Sequence, residues 1–169
     1  MDSREMDDLV SKQALYELAA KYMRGLDRLD RKLFRSVFLD DATCNYGFFV
    51  GGPDDFADFA MDALGSHKAN HHFIGNTLYE IDGNQAYGEV YFQAYHRLEQ
   101  EGQDVDLFIA GRYVDRYERR FGVWKIAYRA EVNDWARTEP AADEFFSASP
   151  LALRGERMTD LVYQRDKLR

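Results

Sequence analysis

The sequence predicts an α+β fold in which three amphipathic helices precede a long antiparallel meander and cover one side of its curved sheet. Two patterns carry that prediction. Apolar residues in the first third recur at helical spacing. From residue 71 onward, long runs alternate apolar and polar between turn signals at 82–84, 99–103 and 119–122. Composition adds a third observation. Twelve Phe, eleven Tyr and two Trp in 169 residues are too large an apolar payload for an acidic disordered segment, and three Pro leave little material for a linker. A single domain over residues 1–169 is expected, with its core at about 8–135.

The first helix is read from Val10, Ala14, Leu18, Tyr22 and Leu26, with Leu15 and Met23 broadening the stripe. Asp7 or Asp8 would cap its start, and Gly25 would weaken its end, placing Asp27 close to the helix–turn junction. Leu33, Phe34, Val37 and Phe38 form a second, shorter stripe. Ala42 to Val50 reads as a strand carrying Cys44, Tyr46 and Phe48 on one side. Gly51-Gly52 ends it, and a third helix starts at Pro53 with Asp54 and Asp55 at its positive end, running to Gly65. The meander strands are His71–Ile81, Tyr87–Leu98, Leu107–Glu118 and Val123–Val132. Residues 136–169 are less periodic and stay open as a flap, a partner-contacting arm or a frayed tail.

Strand parity bears on chemistry. Trp124, Ile126, Tyr128, Ala130 and Val132 share one face of the last strand. Lys125, Ala127, Arg129, Glu131 and Asn133 share the other, which needs water, salt bridges or a polar cavity. In the strand at 87–98, Tyr91, Gln93, Tyr95 and Arg97 oppose Phe92, Ala94, His96 and Leu98. Rings on both faces suit a cavity for a flat apolar or aromatic molecule, and ordinary core packing explains the same pattern.

Charge and motif content exclude several classes. Twenty-two basic against 30 acidic residues give a net charge of -8, which leaves no basic surplus for nucleic acid. The acidic N-terminus lacks the apolar segment of a secretory peptide, and no apolar run is long enough for a membrane helix, so a cytoplasmic protein without a membrane partner is expected. Cys44 is the sole cysteine and the four histidines lack a ligand spacing, so no metal is expected. Gly51-Gly52 is followed by neither a phosphate-loop lysine nor a dinucleotide fingerprint, and no cofactor is expected.

This order of elements, together with Tyr113-Val114-Asp115-Arg116-Tyr117-Glu118-Arg119-Arg120-Phe121-Gly122-Val123-Trp124-Lys125, resembles the SnoaL-like, nuclear transport factor 2-like superfamily. Within it, the chain looks nearest to the hexachlorocyclohexane dehydrochlorinases and scytalone dehydratases, over roughly residues 8–135. The resemblance implies a cystatin-like, cone-shaped roll around a pocket. Gly25-Leu26-Asp27 matches the place where both branches keep an aspartate. His72-Phe73-Ile74-Gly75-Asn76 resembles the stretch in which a histidine precedes an asparagine by four residues. Asp27 and His72 would thus be the family's Asp–His dyad, and Arg129 resembles a pocket arginine. The second histidine that scytalone dehydratases use has no assigned counterpart, since the register of His96 is open.

A neutral histidine abstracts a proton near neutral pH, and a carboxylate on its other nitrogen fixes the tautomer and stabilises the imidazolium. His72 is therefore the expected base and Asp27 its orienter. Arg129 would stabilise developing negative charge, or else pair with Asp27 or Glu131. Tyr46, Phe48, Tyr91, Asn133 and Trp135 are the expected substrate contacts. The implied activity is a cofactor-independent, dehydratase-like lyase acting on a small cyclic or aromatic molecule. Isomerisation, polyketide cyclisation, aldehyde release and non-catalytic binding or interaction are the alternatives. A sheet covered on one face needs protection for the other, so a homodimer or homotrimer is expected.

Overall fold

The computed structural model describes residues 2–142 and 144–168. Helix α1 spans Ser3–Arg28 and starts earlier than its apolar stripe suggests. The cause is a capping box. The Asp2 carboxylate accepts from the Arg4 and Glu5 amides, and Glu5 accepts from the Asp2 amide. Asp7 lies inside the helix and pairs with Arg119, and Val10, the first residue of the expected stripe, is exposed. Gly25 does not end α1 but lets it approach α2, Arg31–Ser36: a Cβ there would lie 2.7 Å from that of Phe34. The helix ends one turn later at Leu29, whose φ of 52° is left-handed, and the Asp30 amide closes the end on the Gly25 carbonyl.

Strand β1, Phe38–Asn45, begins four residues before the expected Ala42, at a residue read into the second helical stripe, ends at Asn45 instead of Val50, and makes a small hairpin with β2, Val50–Gly51. Gly47 turns the chain at φ 76°, which interrupts the alternation: Cys44 and Tyr46 stay buried, but Phe48 is 69% exposed. Helix α3, Pro53–Gly65, buries Phe56, Ala57, Ala60 and Leu64. The meander follows as β3, Ala69–Asp82; β4, Gln85–Gln100; β5, Gln103–Arg120; and β6, Val123–Pro140. Its tight turns place Gly83, Glu101-Gly102 and Phe121-Gly122 at positive φ, the geometry that matches strand twist.

The six strands are ordered β2-β1-β6-β5-β4-β3, all neighbours antiparallel except β1 and β6. The helices pack on the concave face, where the rings of Tyr22, Phe34, Phe38, Phe56, Phe92 and Tyr113 form the core. Strand β6 departs from simple alternation. Tyr117 pairs with Ile126 and Arg116 with Tyr128, so Ala127 is an extra residue. This bulge puts Trp124 and Ile126, then Ala127, Arg129 and Glu131, on the concave side. Tyr128, Ala130 and Val132 go to the convex side. A second bulge, at Asp134, sits where Gly111 lies so close to the Val132 carbonyl that a Cβ would be 2.2 Å from its oxygen. The convex face exposes Phe73, Leu78 and Trp135, and it is the face for which a partner copy is expected.

Beyond β6 the chain folds back on its own helices. Arg157 donates to the main-chain carbonyls of Asp27 and His67, and Tyr163 donates to the Asp30 carboxylate. Arg28 donates to the Glu156 carbonyl and lies 3.3 Å from Asp160. Polar anchoring holds this segment, and its Leu151 and Leu153 are exposed.

Candidate active site

The last turn of α1 crosses β3 and brings Asp27 onto His72. The His72 ring Nδ1 lies 2.6 Å from Asp27 Oδ1, and the His72 amide donates to both carboxylate oxygens at 3.1 Å. The two side chains are 6% and 9% exposed, so the contact is shielded from bulk water. A carboxylate oxygen accepts, so Nδ1 of His72 is the donor in this contact, and in a neutral ring Nε2 is then the acceptor. His71, the next residue on the strand, points the opposite way and is exposed. A groove of ≈ 360 Å³ between α1 and β3, lined by Met23, Arg24, Asp27, His71 and His72, reaches the pair. A larger depression of ≈ 470 Å³ lies near the opposite end of α1, away from these residues.

His96 stands beside the dyad, on the concave face of β4. It is buried, with its ring centroid 5.2 Å from that of His72. The Asn70 amide oxygen faces Nδ1 of both His96 and His67, at 2.9 and 2.8 Å, while its nitrogen donates to the Leu64 carbonyl. That orientation requires a proton on Nδ1 of each ring, so Nε2 of His96 is an acceptor. Burial, with His72 and His67 nearby, pushes His96 down to about 3 and keeps it neutral.

Arg129 is fully buried within the wall. It pairs in bidentate fashion with Asp115, Nε to Oδ1 at 2.8 Å and Nη2 to Oδ2 at 2.6 Å, and pairs with neither Asp27 nor Glu131. Its guanidinium lies 4.2 Å from the ring centroids of both Tyr22 and Tyr113. Burial opposes its charge, but Asp115 holds it well above the usual guanidinium range. Nη1 is buried and has no hydrogen-bond partner among the described residues, so in this structure the side chain sits inside the wall.

Tyr46 is also buried. It stacks on Phe56 with centroids 4.0 Å apart, and its hydroxyl lies 2.7 Å from that of Tyr22. Burial raises both phenols above their ordinary range, so they remain protonated. Asn133 lies exposed at the rim and donates to Glu131 at 3.1 Å. Three expected contacts lie elsewhere. Phe48 was displaced by the turn at Gly47 and packs on Phe59 outside the core. Tyr91 and Trp135 lie on the convex face with Phe73, around a depression of ≈ 270 Å³, because β4 parity and the Asp134 bulge turn them away from His72.

Glu131, read from the sequence only as a possible partner for Arg129, also lies on the concave face. It is partly buried on the concave face, where burial raises its carboxyl above the usual range against the opposing influence of Asn133, His72, Arg129 and Tyr113. The signal was its position two residues after Arg129 on one strand face.

The sequence profile of the SnoaL-like domain family matches residues 7–130, most of the chain. The chain belongs to the SnoaL-like domain family. The matched span contains Asp27, His72, His96 and Arg129, and ends one residue before Glu131. Hexachlorocyclohexane dehydrochlorinase 1 of Sphingobium indicum is 27% identical over 127 residues, covering 73% of this chain and 81% of that protein. The crystal structure of a type 2 hexachlorocyclohexane dehydrochlorinase superposes with a TM-score of 0.72 at 25% identity, over 82% of this chain and 93% of the other. A provisional scytalone dehydratase from Novosphingobium aromaticivorans gives 0.68 at 18% identity, over 90% and 95%. The helices-on-sheet arrangement is also that of a Nostoc punctiforme protein with a cystatin-like fold, which superposes with a TM-score of 0.62 at 18% identity, over 74% of this chain and 92% of the other.

Proposed function

We propose that this SnoaL-like protein is a cofactor-independent lyase of the dehydratase type, acting on a small cyclic or aromatic alcohol. The shielded 2.6 Å contact between His72 and Asp27 carries the reading. His72 Nε2 takes a proton from a carbon next to an activating group, and Asp27 holds the ring in the tautomer that makes this possible and balances the imidazolium charge. The acceptor Nε2 of His96 binds a substrate hydroxyl. Arg129 acts as a positioning residue: paired with Asp115, it fixes Tyr22 and Tyr113. The similarity to a dehydrochlorinase supports elimination as the reaction class.

The test uses 4-hydroxy-4-phenylbutan-2-one, an aryl β-hydroxy ketone whose dehydration gives a conjugated, absorbing enone. The wild-type protein should convert it, and His72→Ala should lose about 10²–10⁴-fold in kcat/KM with an unchanged circular dichroism spectrum. Asp27→Asn should lose activity comparably. Full turnover by His72→Ala would reject the dyad as the proton-abstracting unit.

A further inference from the structure

We propose that Asn70 is a positioning residue that decides which of two neighbouring imidazoles is the base: by holding the Nδ1–H of His96 it leaves Nε2 of that ring as an acceptor for the substrate hydroxyl and reserves proton abstraction for His72. The inference rests on the lyase reading and deepens it, by naming the group that gives the site its preference for an alcohol. Two adjacent imidazoles are chemically alike until their partners differ, and a partner sets the tautomer through the nitrogen it touches.

Strand pairing brings the groups together. Asn70 on β3 lies directly opposite His96 on β4, and His72, two residues further along the same face of β3, is the diagonal neighbour of His96. The rings of His96 and His72 meet edge to face, with centroids 5.2 Å apart and planes at 75°. Asn70 and His96 are both buried. The Asn70 amide has one sensible orientation. Its nitrogen donates to the Leu64 carbonyl at 3.2 Å, a group that only accepts. The amide oxygen is thereby aimed at Nδ1 of His96, at 2.9 Å, and at Nδ1 of His67, at 2.8 Å. One oxygen serves two N–H groups. Moving the His96 proton to Nε2 would set two lone pairs against each other in a buried place, at a cost no water can relieve.

An amide in this position acts differently from a carboxylate. Asp27, on Nδ1 of His72, stabilises the imidazolium and so favours uptake of a proton. The Asn70 oxygen fixes the tautomer as well but brings no charge to balance a cation. The titratable groups that face His96 are His72 and His67, which carry only positive charge, and Leu107 opposite it on β5 is apolar. Burial acts in the same direction. His96 therefore stays neutral while His72 passes through its cationic form. Its Nε2 lone pair is offered to a hydrogen-bond donor, which an alcohol has and an organic chloride lacks.

Two measurements on the intact protein decide the matter. The first reads the tautomer directly, by two-bond proton–nitrogen correlation of histidine rings labelled with nitrogen-15, with His96 assigned through its loss in His96→Gln. At pH 7 the wild type should show Nδ1 protonated and Nε2 bare. Asn70→Ala should shift His96 towards the Nε2-protonated form that an unconstrained histidine favours. Asn70→Asp, which keeps an oxygen at Nδ1, should retain the wild-type tautomer and raise the midpoint of His96 by about one pH unit or more, because a carboxylate stabilises the cation. A wild-type ring protonated on Nε2, a ring indifferent to Asn70→Ala, or a midpoint that does not rise in Asn70→Asp overturns the proposal. Should Asn70→Ala fail to fold, the wild-type tautomer and the Asn70→Asp midpoint still decide.

The second measurement compares 4-hydroxy-4-phenylbutan-2-one with its 4-chloro counterpart, corrected for spontaneous loss of chloride. Asn70→Ala should lose about tenfold in kcat/KM on the alcohol, as expected for one hydrogen bond, mostly through KM, and distinctly less on the chloride. Equal losses on both compounds overturn the assignment, as does an alcohol activity left intact. Wild-type turnover combined with a His96 ring indifferent to Asn70→Ala removes the role of Asn70 and leaves the lyase reading standing. If the wild type converts neither compound, the lyase reading falls and this role falls with it.

Discussion

His72 and His96 are adjacent imidazoles made different by their partners. The carboxylate of Asp27 faces one, and the neutral amide of Asn70 faces the other. For His96 the consequence is measurable as linkage between pH and stability. Its ordinary value of 6.5 falls to about 3 in the fold, so between those limits the unfolded chain takes up a proton that the folded chain does not. Stability is therefore expected to decline as pH drops through this window, by up to about 1.4 kcal/mol per pH unit from this group. His96→Gln, which can still donate to Asn70 but cannot titrate, should lose less stability between pH 7 and pH 4 in urea unfolding. Identical slopes in the two proteins would contradict the assignment. Asp27 and His72 were legible because their local motifs stand in the sequence. Glu131 was not singled out, and the register of His96 was open, because both depend on which face of a strand is the inside. Parity alone does not decide that when aromatics occupy both faces.

Element by element, the three N-terminal helices were legible in order, their ends less so, and the short helices after β6 (Phe145–Ala148, Leu161–Tyr163 and Arg165–Leu168) were not. The apolar stripe of α1 begins well after the helix does, because a capping box needs no apolar residue to hold the first turns. The bulge at Ala127 had no signal of the glycine or proline kind, yet it determines which residues of β6 reach the interior. Gly25 is the clearest instance of a residue whose meaning only packing reveals. Alanine normally improves a helix interior by about 1 kcal/mol over glycine. Here the added methyl would meet the backbone and Cβ of Phe34 at 2.7–2.8 Å. Gly25→Ala is expected to be destabilising by about 1–3 kcal/mol because α1 and α2 must separate. Gly65→Ala, at the end of α3 with nothing within 4 Å of the added atom, should be neutral or stabilising. Chemical denaturation of both variants checks the contrast, and a stable Gly25→Ala would mean that the helix pair yields more easily than its geometry implies.

For the whole molecule, the segment after β6 ties together the ends of α1 and α3 beside the Asp27–His72 contact. Its anchors are polar and distant in sequence, which is why the chain after Pro140 gave no periodic signal, although 136–140 extend β6. Arg157 is central to this, since one guanidinium serves the Asp27 carbonyl at 3.1 Å and the His67 carbonyl at 2.9 Å. Arg157→Ala should increase amide hydrogen exchange in residues 64–72 and in the last turn of α1 by about tenfold, equivalent to about 1.4 kcal/mol of local stability. Unaltered exchange there would show that the segment lies on the helices without holding them.

The parallel pairing of β1 with β6 also sets an order for biosynthesis. A nascent chain that has emerged only as far as β5 holds β1 without its inner neighbour, and the aromatic side of the helices lacks the surface that Trp124, Ile126 and Arg129 provide. Sheet closure must wait for partners 85 to 88 residues downstream, so the half-made protein stays sticky on the ribosome until its final strand is translated.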